Sequence, residues 1–218
     1  PYSPIALLFL VLALTIIWQI FSPLTLVEDE AHYWEWSRHL DWSYYSKGPG
    51  IALLIRASTS VLGNSEFAIR IPAAISIFLA ALACTRMARL LSSDNTLRFV
   101  TAVLFLGVPG FVFSSMLMTI DAPYLACWGW ASYFSMRALL RARKTDWILV
   151  GLLLAVGFIM KYTILLLIPG ILFAAFVTRK QRPRLPRVSM IAGLALVALG
   201  LVPVLVWNAQ HDWATIRH

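Results

Sequence analysis

Acidic residues directly follow the first apolar segment of the chain. Glu28, Asp29 and Glu30 come after about 20 lipid-soluble residues, and residues 27–50 hold five carboxylates, two histidines, three tryptophans and three tyrosines. A positioned carboxylate can take the proton from a hydroxyl group, which is a weak nucleophile at neutral pH. These acids are therefore candidates for general-base chemistry.

A structural interpretation of the same residues stands beside this one. A short amphipathic helix over 28–40 would lie along the membrane surface, with acids at its first turn stabilised by the helix dipole. Its aromatic side chains Tyr33, Trp34 and Trp36 would then sit among the lipid headgroups. In that case the acids cap a helix and the aromatic residues anchor it.

A cation follows the acids in the sequence "SYYSKGPG". The glycines at 48 and 50 and the proline between them predict a turn, which can bring Lys47 to a phosphate without bulky neighbours. A carboxylate for proton removal and a cation for a phosphate suit transfer from a phosphate-linked donor. The alternative for Lys47 is a lysine that snorkels at the membrane interface.

Further charges lie within apolar sequence, where they are functional candidates by default. Asp121 in "LMTIDAPYL" and Lys161 in "GFIMKYT" are each isolated among apolar residues. Glu66 and Arg70 open the second apolar segment, in "SEFAIRIP". The sequence therefore offers acids and cations beyond the first cluster.

A metal site is a weaker alternative for the acidic cluster. Glu28 and His32 are four residues apart, as are Glu35 and His39, so each pair can share one helix face. Two ligands do not complete a metal site. We predict no cofactor and no metal-binding residues, with a divalent metal near Glu28 and His32 as the alternative.

The composition predicts a polytopic, all-α membrane protein. The 218 residues are 60% hydrophobic and 13% charged, with a mean hydropathy of +0.78, whereas soluble domains carry about 25% charged residues. Residues 51–62 are too short to span a bilayer and predict an interfacial helix in the first external loop, 25–65. The predicted spans are 4–24, 66–91, 97–118, 121–140, 147–161, 163–178 and 188–207. The chain begins at Pro1 rather than Met, and we expect residues 1–218 to be the N-terminal part of a longer transmembrane domain.

The charge distribution predicts the orientation of these spans. The loops after the second, fourth and sixth spans hold 12 of the 18 basic residues, including the proline-rich connector 179–187, and only Asp94 and Asp146 among the ten acids. Basic residues near span ends mark the cytoplasmic side, which places residues 27–50 on the external side. The net charge of +8 thus reflects basic residues that orient the spans in the membrane. No basic-aromatic motif indicates a nucleic-acid partner.

An ordered set of motifs resembles the bacterial relatives of the protein O-mannosyltransferases, which are family 39 type glycosyltransferases related to the aminoarabinose transferases of lipid A. The motifs are "DEAHYW", "YYSKGP", "EFAIRIPAA", "TIDAPYLACW" and "GFIMKYTILLLIPG". The resemblance implies a C-type glycosyltransferase fold in the bacterial inner membrane, with its active site facing the periplasm or exterior. It also implies a polyprenyl-phosphate-sugar donor, a hydroxyl acceptor on a lipid, glycan or protein, and inversion at the sugar.

The resemblance also implies roles for individual residues. Asp29 matches the catalytic aspartate of the family, and Asp121 matches a second important aspartate. Members often have "KPP" where this chain has "KGPG", so an extra glycine follows Lys47. The implied catalytic residues are Asp29, Glu30 and Asp121, and the implied donor-phosphate residues are Tyr45, Lys47, Arg70, Lys161 and Tyr162.

Two other classes of function remain open at this point. A transporter or flippase for a lipid-linked substrate also keeps charges inside the membrane, but near its midplane. Most external acids of this chain lie at the predicted interface, which favours an enzyme. A non-catalytic scaffold subunit would have no strict need for Asp29 or Lys47.

Overall fold

A computed structural model describes residues 3–180 and 185–217 of the chain. Within these ranges all elements are helical and there is no strand, which confirms the all-α prediction. Residues 181–184 of the predicted connector lie outside the described residues. The elements are α1 (Pro4–Phe21), α2 (Glu28–Arg38), α3 (Gly50–Leu62), α4 (Glu66–Leu91), α5 (Asn95–Leu106), α6 (Pro109–Met116), α7 (Asp121–Arg141), α8 (Lys144–Met160), a 3-10 helix (Tyr162–Leu166), α9 (Leu167–Val177), α10 (Arg187–Gln210) and α11 (Ala214–Arg217).

Local signals fix where the first long helices begin. The Ser3 hydroxyl oxygen accepts the Ala6 N–H at the start of α1, and Pro4 occupies the first helical position. Ser65 caps α4 in the same way by accepting the Ala68 N–H. Helix α4 covers the same residues as the predicted span 66–91, because a cap and a long, mostly apolar run define it locally.

Three described helices are long and apolar enough to cross a membrane, namely α1, α4 and α10. Helices α5 and α6 together satisfy the same criterion but are bent by 68°. The bend falls at Gly107 and Val108, just before Pro109 opens α6, so the predicted span 97–118 is two helices. The described helices α7, α8 and α9 are too short or not apolar enough to meet the same requirement for a membrane span. The set of seven spans therefore remains a prediction.

The chain divides into two compact units. The first unit comprises residues 1–41 and 49–126, and the second unit comprises 42–48 and 127–218. In the first unit, α1, α3, α5 and α6 all pack against α4. Its main apolar cluster consists of Tyr33, Ile51, Ile55, Ile69, Ala73, Ile77, Met118, Ile120 and Ala122.

In the second unit, α8 and α10 pack against each other through small residues. A Cβ atom added at Gly151 of α8 would overlap the backbone of Gly193 in α10, and one added at Gly200 would overlap Ala155. Small residues allow the backbones of membrane helices to approach closely. At the start of α8, Asp146 is fully buried and forms a two-point ion pair with Arg137 of α7, at 2.6 and 2.8 Å.

Candidate active site

A fully buried ion pair lies at the centre of the first unit. Arg70 Nε lies 2.9 Å from Glu30 Oε1, and Arg70 Nη2 lies 2.8 Å from Glu30 Oε2. Both side chains are 0% exposed. Removing two charges from water costs several kcal/mol per ion unless the geometry is good and the remaining polar atoms are hydrogen-bonded.

The remaining polar atoms of this pair bind backbone groups from two segments. Arg70 donates to the Leu24 and Thr25 carbonyl oxygens, each at 2.9 Å. Glu30 accepts the Met118 N–H at 2.8 Å and the Val27 N–H at 3.2 Å. The pair therefore holds together the segment before α2, the first turn of α2 and the segment that leads into α7.

This arrangement bears on two residues of the predicted site. Every nitrogen of the Arg70 guanidinium donates to a protein oxygen and the side chain is 0% exposed, so in this geometry its charge is not presented to a phosphate. Glu30 is likewise enclosed. The contacts give Glu30 and Arg70 a structural role, and the catalytic and phosphate-binding roles predicted for them gain no support from the geometry.

Asp29 differs from its neighbour Glu30. It is exposed and forms no ion pair or hydrogen bond among the described residues. Tyr33 follows one helical turn later on the same face of α2 and is 6% exposed. Its ring packs in the apolar cluster with Ile120 and Ala122, the two residues that flank Asp121.

The Tyr33 hydroxyl is influenced by the charges of both predicted catalytic aspartates. Burial, followed by the charges of Asp29 and Asp121, raises the pKa of Tyr33 to about 12. The half-buried Asp121 is the first residue of α7. The structure thus brings the two aspartates around one tyrosine that the sequence analysis treated as a membrane anchor. Tyr33 lies four residues after Asp29, and this helical spacing could have indicated from the sequence that the two side chains share one face.

In the second unit, the turn that carries Lys47 is closed by two hydrogen bonds to the Lys47 carbonyl oxygen. Tyr44 N–H donates at 3.0 Å and the Ser43 hydroxyl donates at 3.2 Å. A Cβ atom at Gly48 would overlap the backbone of Ile159, near the end of α8. The extra glycine that distinguishes "KGPG" from "KPP" thus lets the turn lie directly against α8.

This close approach creates a cavity with two lysines. Lys161 follows the last residue of α8 in an extended conformation, and a cavity of about 180 Å³ separates it from the turn. Both lysines are half-buried. The lining residues are Ser46, Lys47, Gly48, Met160, Lys161, Tyr162 and Thr163.

Three of the predicted donor-phosphate residues, Lys47, Lys161 and Tyr162, thus line one cavity. The exposed Tyr45 does not line it. The buried Tyr162 hydroxyl lies beside the hydroxyls of Ser43 and Thr215. The sequence analysis missed both neighbours: Ser43 opens the "SYYSKGPG" stretch but was given no role, and Thr215 belongs to no recognisable motif.

The second unit also contains an apolar groove of about 380 Å³ between α8, α9 and α10. Leu154, Ile171 and Leu194 contribute one side chain from each helix. Leu172, Ile191 and Leu194 are at least 60% exposed in the isolated chain, as expected of surfaces that face lipid in a membrane protein.

The histidines of α2 have other contacts. His32 packs on Trp36 with ring centroids 4.4 Å apart, and His39 Nε2 lies 3.2 Å from Glu35 Oε1 in an exposed pair. Across residues 3–180 and 185–217, no three His, Cys, Asp or Glu side chains are grouped as metal ligands. The metal alternative near Glu28 and His32 therefore gains no support.

Comparisons with known proteins place these features in context. The family described as dolichyl-phosphate-mannose-protein mannosyltransferase matches residues 46–207. Lipid A galacturonosyltransferase RgtD of Rhizobium johnstonii is 33% identical over 99% of this chain and 46% of its own length. Undecaprenyl phosphate-alpha-4-amino-4-deoxy-L-arabinose arabinosyl transferase 2 of Proteus mirabilis is 29% identical over 95% of this chain and 41% of its own length.

A further similar protein is the corresponding arabinosyl transferase of Pseudomonas savastanoi pv. phaseolicola, which is 28% identical over 64% of this chain and 27% of its own length. The chain thus spans less than half the length of these curated relatives. No solved structure gives a significant match.

Proposed function

Because the chain belongs to the dolichyl-phosphate-mannose-protein mannosyltransferase family, we propose that it forms part of an integral membrane glycosyltransferase with a polyprenyl-phosphate-sugar donor. Its fold class is accordingly that of an all-α, C-type glycosyltransferase. The names of two relatives contain undecaprenyl phosphate-linked 4-amino-4-deoxy-L-arabinose, and the name of the third contains lipid A. The proposed donor is therefore an undecaprenyl-phosphate sugar, and the proposed acceptor is a hydroxyl of lipid A.

The observation that carries the proposal is the cavity lined by both Lys47 and Lys161. Two lysines that line one small cavity suit an anion, and charge-assisted hydrogen bonds to phosphate are about twice as strong as neutral ones. The leaving phosphate gains charge as its bond to the sugar breaks. Cations fixed beside it stabilise that charge without reorganising at the moment of reaction.

Proton removal falls to Asp29 in this proposal. Unlike Glu30, Asp29 is exposed and forms no ion pair among the described residues, so its carboxylate is available to an acceptor. The acceptor oxygen attacks the sugar C1 and forms a new C1–O bond. The C1–O bond to phosphate breaks, the phosphate keeps its electron pair, and the acceptor proton passes to Asp29. Attack opposite the leaving group inverts the configuration at C1.

The apolar groove suits the isoprenoid tail of the same donor. Helix α8 lines the groove from Trp147 to Leu154 and reaches the lysine cavity at Met160. Six residues of helix separate Leu154 from Met160, which is about 9 Å along the axis. A lipid with its phosphate at the lysines can therefore extend along α8 into the groove.

The proposed location is the bacterial inner membrane, with residues 27–50 on the periplasmic side. The support is the concentration of 12 of the 18 basic residues in three loops of the opposite side. All three relatives carry transferase names, and no observation favours the transporter or scaffold alternatives.

Binding of undecaprenyl phosphate to the protein in lipid nanodiscs tests the proposal. We expect Lys47→Ala and Lys161→Ala each to weaken binding about 10- to 100-fold, since each removes a charge-assisted hydrogen bond of about 1.5–3 kcal/mol. Lys144→Ala is the matched control, because Lys144 is an exposed lysine at the opposite end of α8. Wild-type affinity in both cavity variants would contradict the phosphate site.

A further inference from the structure

We propose that Tyr33 binds the acceptor, with its hydroxyl donating a hydrogen bond to the acceptor oxygen whose proton passes to Asp29. The inference deepens the proposed glycosyl transfer and rests on it. It assigns acceptor recognition to the first unit and to a residue whose sequence position had indicated only a membrane anchor.

The position of Tyr33 is fixed by packing. Its ring is 6% exposed within the apolar cluster that includes Ile51 and Ile55 of α3. The Trp36 ring lies against it, with centroids 5.5 Å apart. A ring held on several sides points its hydroxyl in a defined direction, which is what a substrate-orienting group requires.

The surroundings of the hydroxyl favour a neutral polar ligand over an anion. Asp29 comes from the same face of α2, and Asp121 lies between two residues of the apolar cluster that contains Tyr33. Two carboxylates repel the charged phosphate of the donor but accept hydrogen bonds from hydroxyl groups. The acceptor hydroxyl is the neutral partner in the reaction, so this part of the protein suits the acceptor.

The Tyr33 hydroxyl can serve as the donor in this group. No described residue forms a hydrogen bond with it, and its raised pKa keeps it protonated at neutral pH. An alcohol oxygen has two lone pairs and one proton. It can therefore give its proton to Asp29, accept a hydrogen bond from Tyr33 and use the second lone pair to attack the sugar.

The test is the affinity of purified lipid A for the protein in nanodiscs. Tyr33→Phe keeps the ring and removes only the hydroxyl, and we expect about 3- to 10-fold weaker lipid A binding, the loss of one neutral hydrogen bond. Undecaprenyl phosphate binding and the unfolding temperature should stay at their wild-type values. Tyr133→Phe is the matched control, because Tyr133 is 8% exposed and lies in the second unit.

The outcomes separate this inference from the proposed function. Equal lipid A affinity in the wild type and Tyr33→Phe overturns the role of Tyr33 and leaves the transferase proposal standing. Absence of lipid A binding to the wild type overturns the proposed acceptor together with the inference. If Tyr33→Phe lowers the unfolding temperature and weakens the binding of both lipids, the hydroxyl has a structural role. That result also overturns the role of Tyr33 in acceptor binding.

Discussion

Replacing Arg70 by methionine tests whether the buried ion pair is structural. The side chain keeps much of its length, but Glu30 loses its counter-charge inside the first unit and the Leu24 and Thr25 carbonyl oxygens lose their donors. Breaking a buried ion pair by removing one partner costs about 3–5 kcal/mol. For a protein of this size that corresponds to a fall in unfolding temperature of roughly 6–20 °C.

The assay is thermal unfolding of the purified protein in detergent. Glu35→Gln is the matched control, because it breaks the pair with His39, whose side chains are 77% and 55% exposed. Exposed pairs contribute about 0–1 kcal/mol, so this variant should unfold close to the wild type. The double variant Glu30→Gln/Arg70→Met removes both buried charges, and we expect it to be more stable than Arg70→Met alone.

An Arg70→Met variant that unfolds at the wild-type temperature would contradict the structural role of the Glu30–Arg70 pair. Should that variant also lose affinity for undecaprenyl phosphate, Arg70 would be a donor ligand, as the resemblance implied. The contacts around Glu30 would then describe a state that opens before the donor binds.

The remaining predictions concern the second unit and the alkaline behaviour of the first. Gly48→Ala should weaken undecaprenyl phosphate binding, because its Cβ would overlap Ile159 and displace the lysine turn. Leu194→Trp should weaken binding of long-chain but not short-chain polyprenyl phosphates, whereas Leu199→Trp, equally 65% exposed on α10 but outside the groove, should not. Since the pKa of Tyr33 is raised from 10.0 to about 12, its contribution to stability is complete below pH 10 and is lost as the pH rises through 12. Tyr33→Phe should therefore reduce the alkaline fall in unfolding temperature measured over this range.

The bounds of α4 followed from the sequence because their causes are local. A serine cap and an apolar run define α4, and its bounds match the prediction. The break between α5 and α6 was harder to predict, although Gly107 and Pro109 flank it. Apolar periodicity continues across that break, and nothing in the composition indicates a 68° bend.

The roles of adjacent acids depended on distant partners. Asp29 and Glu30 are neighbours in one motif, yet one is exposed and the other is fully buried. The difference comes from Arg70, 40 residues away, and from the Met118 N–H, 88 residues away. A single sequence does not show these pairings. It did single out Lys47 for its glycine-proline turn and Lys161 for its apolar surroundings, and the structure places both at one cavity.

The central claim is that Asp29 takes the acceptor proton, and exchange of single acids in α2 tests it most directly. Asp29→Asn keeps the shape and the capping ability of the side chain but cannot accept the proton, so transfer should fall about 10²–10⁴-fold. Glu28→Gln makes the same charge change one residue earlier, on a side chain that points about 100° away, and should stay active. Both residues are exposed, so both variants should fold and insert normally.

The measurement is mass spectrometry of lipid A from a host strain that lacks the gene and is complemented with the complete gene carrying each variant. We predict sugar-modified lipid A with the wild type and Glu28→Gln, and almost none with Asp29→Asn at equal protein level. Modification at the wild-type level with Asp29→Asn would contradict the assignment of Asp29 as the base.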